Sequence, residues 1–324
     1  MNPNVNKRIV VIVGPTASGK SAFAVRLAKK MDGEVISADS RQVYKGLNLA
    51  SGKITKKEMS GVPHHCLDLV SPKTVFTAER YAKCARRAIK DILGRGKTPI
   101  VVGGTGFYID IALGRMGTVK VAPDWKLRRK LENRSAKVLL KMLKKLAPAR
   151  AKTVEPENKR RLIRAIEVAK SAKTPHKSKK INTPVSAKDG HSSRGLSPEG
   201  SDSGVNWGKE NVVWLGIKTN PKDLRKKINA RLASRLRAGM IGEIKKLRLE
   251  GVGWKRLDDL GLEPRWISKY LRVHISKDEM VLKLKTAIWR YSHRQMTWFK
   301  RNKEIHWIST NNALIKNIPT NWSM

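Results

Sequence analysis

Cysteine, negative charge and long apolar runs are all scarce in this sequence of 324 residues. The two cysteines, Cys66 and Cys84, show no paired spacing of the kind that builds a zinc site or a disulfide framework, so both are read as free thiols of a reducing compartment. No apolar run approaches the ~20 residues of a membrane span. The first strand-like run begins within about a dozen residues of the N-terminus, which leaves no room for a signal peptide, and a cytoplasmic location is expected. Acidic residues number 26 against 69 lysines and arginines, a formal charge of +43. An excess of that size reads as the footprint of a polyanion, nucleic acid first and an anionic membrane second, against the plainer reading of a general bias toward basic surfaces. The 40% hydrophobic content is enough to bury a proper core.

What is present is a phosphate loop. Gly14, Pro15, Thr16, Ala17, Ser18, Gly19, Lys20 and Ser21 match G-x-x-x-x-G-K-[ST] in full, after the apolar run 8–13 and before a segment at helical spacing, 22–31. Such a loop aims backbone N–H groups at phosphate oxygens and adds the positive end of a helix dipole, a lysine for the phosphates and a hydroxyl for Mg²⁺. Lys20 and Ser21 take those last two roles. A diphosphate or triphosphate is therefore expected, and the loop alone does not say of which compound.

Strand and helix patterns alternate through the first third. Residues 34–40 read as a second strand, Thr77 as the cap of a helix over 78–93, and 99–102 as a short apolar strand ending in Gly103-Gly104-Thr105-Gly106. This alternation implies an α/β fold, a P-loop NTPase-like parallel sheet with flanking helices. Its ligands should sit at the carboxyl ends of the strands, where the Gly14 loop, Asp39-Ser40 and the Gly103 turn all fall. Residues 1–118 form the first part of that core. Residues 119–172 are helical and very basic, with an apolar stripe of Leu127, Leu131, Val138, Leu139, Leu143 and Leu146 behind the charges, and read as a small all-helical insertion with a polyanion-facing side. Residues 173–207, rich in Ser, Gly, Pro and Lys, read as a flexible basic insertion. Residues 208–324 complete the core, with a strand over 211–217, an amphipathic helix over 221–249 and a helix over 277–301. In that last helix Trp289, Tyr291, Trp298 and Phe299 alternate with Arg290, Arg294, Lys300 and Arg301. Such a mixture either stacks on nucleotides or packs the helix onto the sheet.

A P-loop kinase or ATPase places a metal-holding Asp at the end of an apolar strand. The strand at 99–102 ends in glycines instead, and the carboxylate lies one strand away, at Asp39. From chemistry alone Asp39 can hold Mg²⁺ through water or accept a proton from an attacking nucleophile.

Four ordered segments, 14–21, Ser-Ala-Asp-Ser-Arg-Gln-Val-Tyr at 37–44, Val-Pro-His-His-Cys-Leu-Asp at 62–68 and Val-Gly-Gly-Thr-Gly-Phe-Tyr at 102–108, resemble successive signatures of the tRNA dimethylallyltransferases (the IPP transferase family). The similarity continues through 160–168, 239–243 and 294–299, so it covers nearly the whole chain apart from the flexible insertion. The resemblance implies transfer of the dimethylallyl group of dimethylallyl diphosphate to N6 of the adenosine immediately 3′ of the anticodon in tRNA, with release of diphosphate. It further implies that Asp39 is the general base, that Thr16 lies close to the donor and the target base, and that the loop with Lys20 and Ser21-bound Mg²⁺ cradles the leaving diphosphate. By the same matching Asp39, Ser40, Arg41, Gln42, Thr105, Arg128, Lys159, Arg160, Arg161, Leu162 and Ile163 contact the anticodon stem-loop. Lys227 stands where the family usually has an Arg that helps hold the diphosphate; it keeps the charge and loses the bidentate fork. Leu262-Glu263-Pro264 and Ser292-His293 depart from the family pattern. A monomer is expected.

Three other readings compete. A small-molecule P-loop kinase predicts an Asp at the end of the 99–102 strand. A prenyltransferase acting on free AMP needs no basic helices, and a non-catalytic RNA-binding protein leaves the loop and Asp39 idle.

Overall fold

A computed structural model describes residues 8–117, 121–173, 207 and 211–309. The chain divides into two compact units, residues 1–117 with 201–324, and residues 118–200. The segment read as a flexible insertion lies, over 174–206, outside the described residues.

The first unit opens with β1 (Ile9–Val13), α1 (Lys20–Lys30), β2 (Gly33–Ser37), the single turn α2 (Lys56–Met59), β3 (His64–His65), α3 (Ala78–Gly94), β4 (Thr98–Val102) and α4 (Gly106–Ala112). Strands β1, β2 and β4 are buried at every position, which is why they read as continuous apolar runs rather than as alternating patterns. Thr77 caps α3 as expected, its hydroxyl accepting from the Arg80 N–H. The second unit holds α5 (Trp125–Glu132), α6 (Ala136–Leu146), α7 (Pro148–Thr153) and α8 (Lys159–Lys173). The chain then returns to the first unit through β5 (Val212–Ile217), α9 (Pro221–Arg237), α10 (Met240–Leu249), α11 (Trp254–Leu260), α12 (Leu262–Leu271), α13 (Lys277–Phe299) and β6 (Ile305–Ile308).

The six strands form one parallel sheet in the order β3-β2-β4-β1-β5-β6. One face buries Val10, Ile12, Ile100 and Leu215 against Phe23 and Leu27 of α1. The other buries Val11, Val101 and Trp214 with Tyr81 and Ile89 of α3 and Ile109 of α4. A further core joins α9 to α13 through Leu232, Ile244, Leu257, Ile267 and Leu284, and packs them on Val43, Tyr44 and Leu47 of the segment after β2. No helix among the described residues is long and apolar enough to cross a membrane.

The helix expected over 221–249 is broken. Gly239 takes φ +96°, a left-handed conformation that only glycine adopts without strain, and the chain restarts as α10. The break turns Glu243 onto the segment after β2, where its carboxylate accepts from the N–H groups of Asn48, Leu49 and Ala50 at 2.9, 2.7 and 2.9 Å. Two aromatics of α13 take the packing role, Phe299 buried in the sheet core and the Trp298 indole donating to Asp110 at 2.9 Å, while Arg290 and Arg294 are exposed.

Within the second unit, Leu131, Leu139 and Leu143 are buried with Leu162, Ile163 and Ile166. Val138, placed in the apolar stripe by its spacing, is 42% exposed. Glu167 is buried and gathers the unit's cations: its carboxylate accepts from Arg128 at 2.8 and 2.7 Å, from Arg164, and from the Asp124 N–H at 2.7 Å.

Candidate functional site

The loop after β1 is shaped by two glycines. Gly14 takes φ +143° and lies so close to β5 that a Cβ there would meet the Ile217 carbonyl at 2.9 Å; Gly19 takes φ +88° where the loop turns into α1. The Lys20 ammonium is folded onto the loop's own Pro15 carbonyl at 2.5 Å. Burial, and secondarily Arg231, lower its pKa to about 7 while Asp39 opposes the shift, so a ligand that brings phosphate charge would favour the ammonium form.

Asp39 follows β2, the strand beside β4 and two removed from β1. Its Oδ1 accepts from the Arg41 N–H at 2.8 Å, which holds the turn and leaves the other oxygen available. The turn after β4 supports it: Thr105 N–H donates to the Ala38 carbonyl at 3.1 Å and the Thr105 hydroxyl accepts from the Ser40 N–H at 3.2 Å. Gly103 is required for that approach, because a Cβ there would meet the Ala38 carbonyl at 2.1 Å. No carboxylate stands at the end of β4, where the kinase reading needs one.

Two cavities meet at these residues. One, of about 450 Å³, is lined by Thr16 to Ser21, Asp39, Gln42, Gly103, Gly104 and Lys227. The other, of about 280 Å³, is ringed by Arg41, Arg231, Arg235, Arg265 and Arg294. Thr16, Asp39, Ser51, Arg231 and Tyr291 line both. Asp39 therefore stands at the junction of a phosphate-binding hollow and a second, arginine-rimmed one.

Three residues of this junction have no site role read from the sequence, although Tyr291 lies in the aromatic and basic helix at 277–301 and Gln295 in the 294–299 segment of family similarity. Arg231 lies one helical turn after Lys227 on α9, and its guanidinium donates to the Gly52 carbonyl at 2.9 Å. Gln295 is buried and bridges two loops: its Oε1 accepts from the Thr16 N–H at 2.8 Å and its Nε2 donates to the Gly104 carbonyl at 3.0 Å. Tyr291, one turn before it on α13, lines both cavities; burial first, and Asp39 next, push its phenol up to about 12. The i, i+4 spacings of Arg231 to Lys227 and Gln295 to Tyr291 were the available signals.

The remaining sequence-derived residues are distributed as follows. Gly14 and Pro15 are buried in the loop, and Thr16, Ala17, Ser18, Gly19, Lys20, Ser21 and Lys227 line the first cavity. Ser40 and Arg41 line the second, while Gln42 is tied into the framework by Ser37 at 3.0 Å and by the Gly52 carbonyl at 3.3 Å. Leu162 and Ile163 are buried in the second unit's core, turned inward from the basic run by helical periodicity. Arg128 is committed to Glu167 and lies over the Trp125 ring. Lys159, Arg160 and Arg161 remain on the exposed face.

A magnesium ion fits the donors present. Among the described residues no group of three or more His, Cys, Asp or Glu could hold a metal by itself. The hard oxygens of Ser21 and Asp39 nevertheless line one hollow, and a diphosphate would supply the rest of the shell.

A model of the IPP transferase family matches residues 42–302. A tRNA dimethylallyltransferase of Syntrophus aciditrophicus is 38% identical over 312 residues, covering 93% of each chain. One from Hahella chejuensis is 33% identical over 320 residues, covering 98% of this chain and 96% of its own. The crystal structure of a tRNA isopentenylpyrophosphate transferase from Bacillus halodurans superposes with a TM-score of 0.67 at 30% identity, over 97% of this chain and 94% of that one.

Proposed function

The chain belongs to the IPP transferase family, and from that premise we propose that it transfers a dimethylallyl group from dimethylallyl diphosphate to N6 of the adenosine immediately 3′ of the anticodon in tRNA, acting as a monomer in the cytoplasm. The observation that carries this reading is the position of Asp39 where the phosphate-binding and arginine-rimmed cavities meet. The first hollow suits the donor's diphosphate and the second suits a nucleotide with its flanking phosphates.

In this reading the N6 nitrogen attacks the allylic carbon of the donor, the carbon–oxygen bond to diphosphate breaks, and the N6 proton passes to Asp39. An exocyclic adenine amine is a weak nucleophile, so a fixed base is needed within hydrogen-bond reach. Charge grows on the departing diphosphate, and the loop N–H groups, Lys20, Lys227 and Arg231 surround the place where it grows. Mg²⁺, held by Ser21 and the diphosphate, would supply further charge neutralisation there. Thr16 and Tyr291 line the passage between the two hollows and would confine the prenyl chain and the base. The base must leave its stack to enter, at a cost of a few kcal/mol that is least in an unpaired loop. The exposed cations of the second unit, Lys159, Arg160 and Arg161 with those of α6, suit the phosphates of the anticodon stem.

Radiolabelled dimethylallyl diphosphate offered with either tRNA or AMP tests the reading. Label should appear in tRNA and not in AMP, and Asp39→Asn should abolish transfer while sparing tRNA binding. Absence of label from tRNA defeats the proposal, and unchanged turnover by Asp39→Asn removes Asp39 from the base role.

A further inference from the structure

The two cysteines, far apart in sequence and unpatterned, are brought together by the fold. The Cys66 and Cys84 sulfurs lie 2.9 Å apart, closer than two sulfurs rest without an interaction between them. Cys66 follows β3 at φ +63°, is 4% exposed, and packs in the sheet core beside Tyr81 and Ala85. Cys84 projects from α3 and is only partly buried. Cys84 is therefore the more exposed of the two residues and the more open to a solute.

Both backbones are firmly held. The segment carrying Cys66 is fixed by the His65 ring on Glu34 at 2.8 Å, by Asp68 N–H on the Gln42 carbonyl at 3.1 Å and by Leu69 N–H on the Val43 carbonyl at 2.8 Å. Cys84 sits within a 17-residue helix buried along one face. Bonding the sulfurs requires them to approach by about 0.9 Å, to the ~2.05 Å of a disulfide.

We propose that Cys66 and Cys84 form an oxidant-sensitive dithiol, a modification site at which hydroperoxides install a reversible intramolecular disulfide. The Cys84 thiolate attacks the nearer peroxide oxygen, the O–O bond breaks, and alkoxide or hydroxide leaves to take up a proton, giving Cys84 sulfenic acid. The Cys66 sulfur then attacks the Cys84 sulfur, its proton leaves with the departing hydroxide as water, and the disulfide remains. In sum, two thiols and one hydroperoxide give a disulfide, an alcohol or water, and water; a dithiol reductant reverses it. The electrostatics favour this order. The Cys66 hydrogen bond, with Arg87 beyond it, holds the Cys84 thiol below its ordinary range against burial, and the same hydrogen bond together with burial pushes the Cys66 thiol up. The modification needs no tRNA or prenyl donor, so it stands apart from the transfer reaction.

Treatment of the intact, reduced protein with one equivalent of hydrogen peroxide tests it. The chain mass should fall by about 2 Da with both thiols lost to alkylation, a Cys66–Cys84 cross-linked peptide should appear, and dithiothreitol should restore the starting mass. In Cys66→Ser and Cys66→Ala, dimedone should capture a sulfenic acid at Cys84, whereas Cys84→Ser should give no adduct at Cys66. Two thiols that stay alkylatable after peroxide, or irreversible oxidation of Cys84 in the wild type without any cross-link, overturn the proposal.

Discussion

Replacing Gln295 with alanine should damage catalysis far more than it damages the fold. The side chain makes two hydrogen bonds, one to each of two loops: it accepts from Thr16 N–H at 2.8 Å and donates to the Gly104 carbonyl at 3.0 Å. A Cβ on Gly104 would lie 2.0 Å from Gln295 Nε2, so the fit leaves no slack. A net hydrogen bond stabilises by about 0.5–1.5 kcal/mol, and a buried partner left unmade costs about 1–3. Water from the adjoining cavity can reach the vacated positions, so the lower ends apply and a loss of about 2 kcal/mol is expected. In a chain of this size that lowers Tm by roughly 3 °C. Catalysis is more sensitive, because a displacement near 1 Å in a group that positions a reactant can cost on the order of 100-fold. Single-turnover transfer from radiolabelled donor to tRNA, at a temperature where circular dichroism shows the variant folded, should fall by about 30–100-fold with tRNA affinity unchanged. Gln295→Glu separates the two contacts, since its carboxylate still accepts from Thr16 and cannot donate to Gly104; it also places a negative charge beside the donor phosphates and should raise the donor KM. A Gln295→Ala enzyme within twofold of wild type would refute the coupling of the phosphate loop to the β4 turn.

Acid should expose a second linkage. Glu34, 3% exposed, is held at about 2 by the Arg95 hydrogen bond and then by His65, against the opposing effect of burial. A depressed carboxylate contributes stability that is present above its unfolded pKa, near 4.5, and lost as pH falls toward 2. Glu34→Gln should therefore cost on the order of 2 kcal/mol in urea unfolding at pH 6, with the gap narrowing below pH 4.5; a pH-independent gap would contradict this. Glu167→Gln should loosen the second unit by about 2 kcal/mol, because Arg128 and Arg164 lose their shared carboxylate; hydrogen exchange along α5 and α8 should speed up while donor binding stays constant. For tRNA binding, log Kd against log salt should be steep, and Arg161→Ala should reduce the slope by about 0.7–0.9 if that side chain neutralises one phosphate, whereas an unchanged slope would remove it from the interface.

Local features were legible in the sequence and long-range convergence was not. The phosphate loop is eight consecutive residues whose glycines set their own backbone, and β1 and β4 are runs buried at every position, so each announces itself within a short window. The break between α9 and α10 is not legible in the sequence because apolar spacing continues on both sides of Gly239, whereas the packing of Glu243 on residues 48–50 is a long-range contact. The family resemblance, rather than the pattern of residues, put Leu162 and Ile163 beside Lys159 and Arg160 as tRNA contacts, while helical spacing turns their side chains toward the core. Arg231, Tyr291 and Gln295 meet the phosphate loop from more than 200 residues away, and no window contains both partners. The same holds for the cysteines, whose contact depends on how β3 and α3 are placed by the sheet.

The glycines that end β4 show how a shared loop is turned to a different chemistry. With a side chain at Gly103, the Ala38 carbonyl would be displaced; with one at Gly104, Gln295 would be expelled from between the loops. Their absence of bulk lets the turn after β2 close on Thr105 and brings Asp39 to the edge of the phosphate hollow from the adjacent strand. A carboxylate at the end of β4 itself would face the metal and phosphates beside the loop, as hydrolysis or phosphoryl transfer requires. Set one strand further out, it faces the arginine-rimmed cavity as well, and can take a proton from a nucleophile that arrives there while the loop holds a departing diphosphate. On the proposed base role of Asp39, a bulky residue at Gly103 should strongly reduce transfer to tRNA in the radiolabel assay, because it would displace the Ala38 carbonyl and with it the turn that carries Asp39. Unchanged transfer would contradict this.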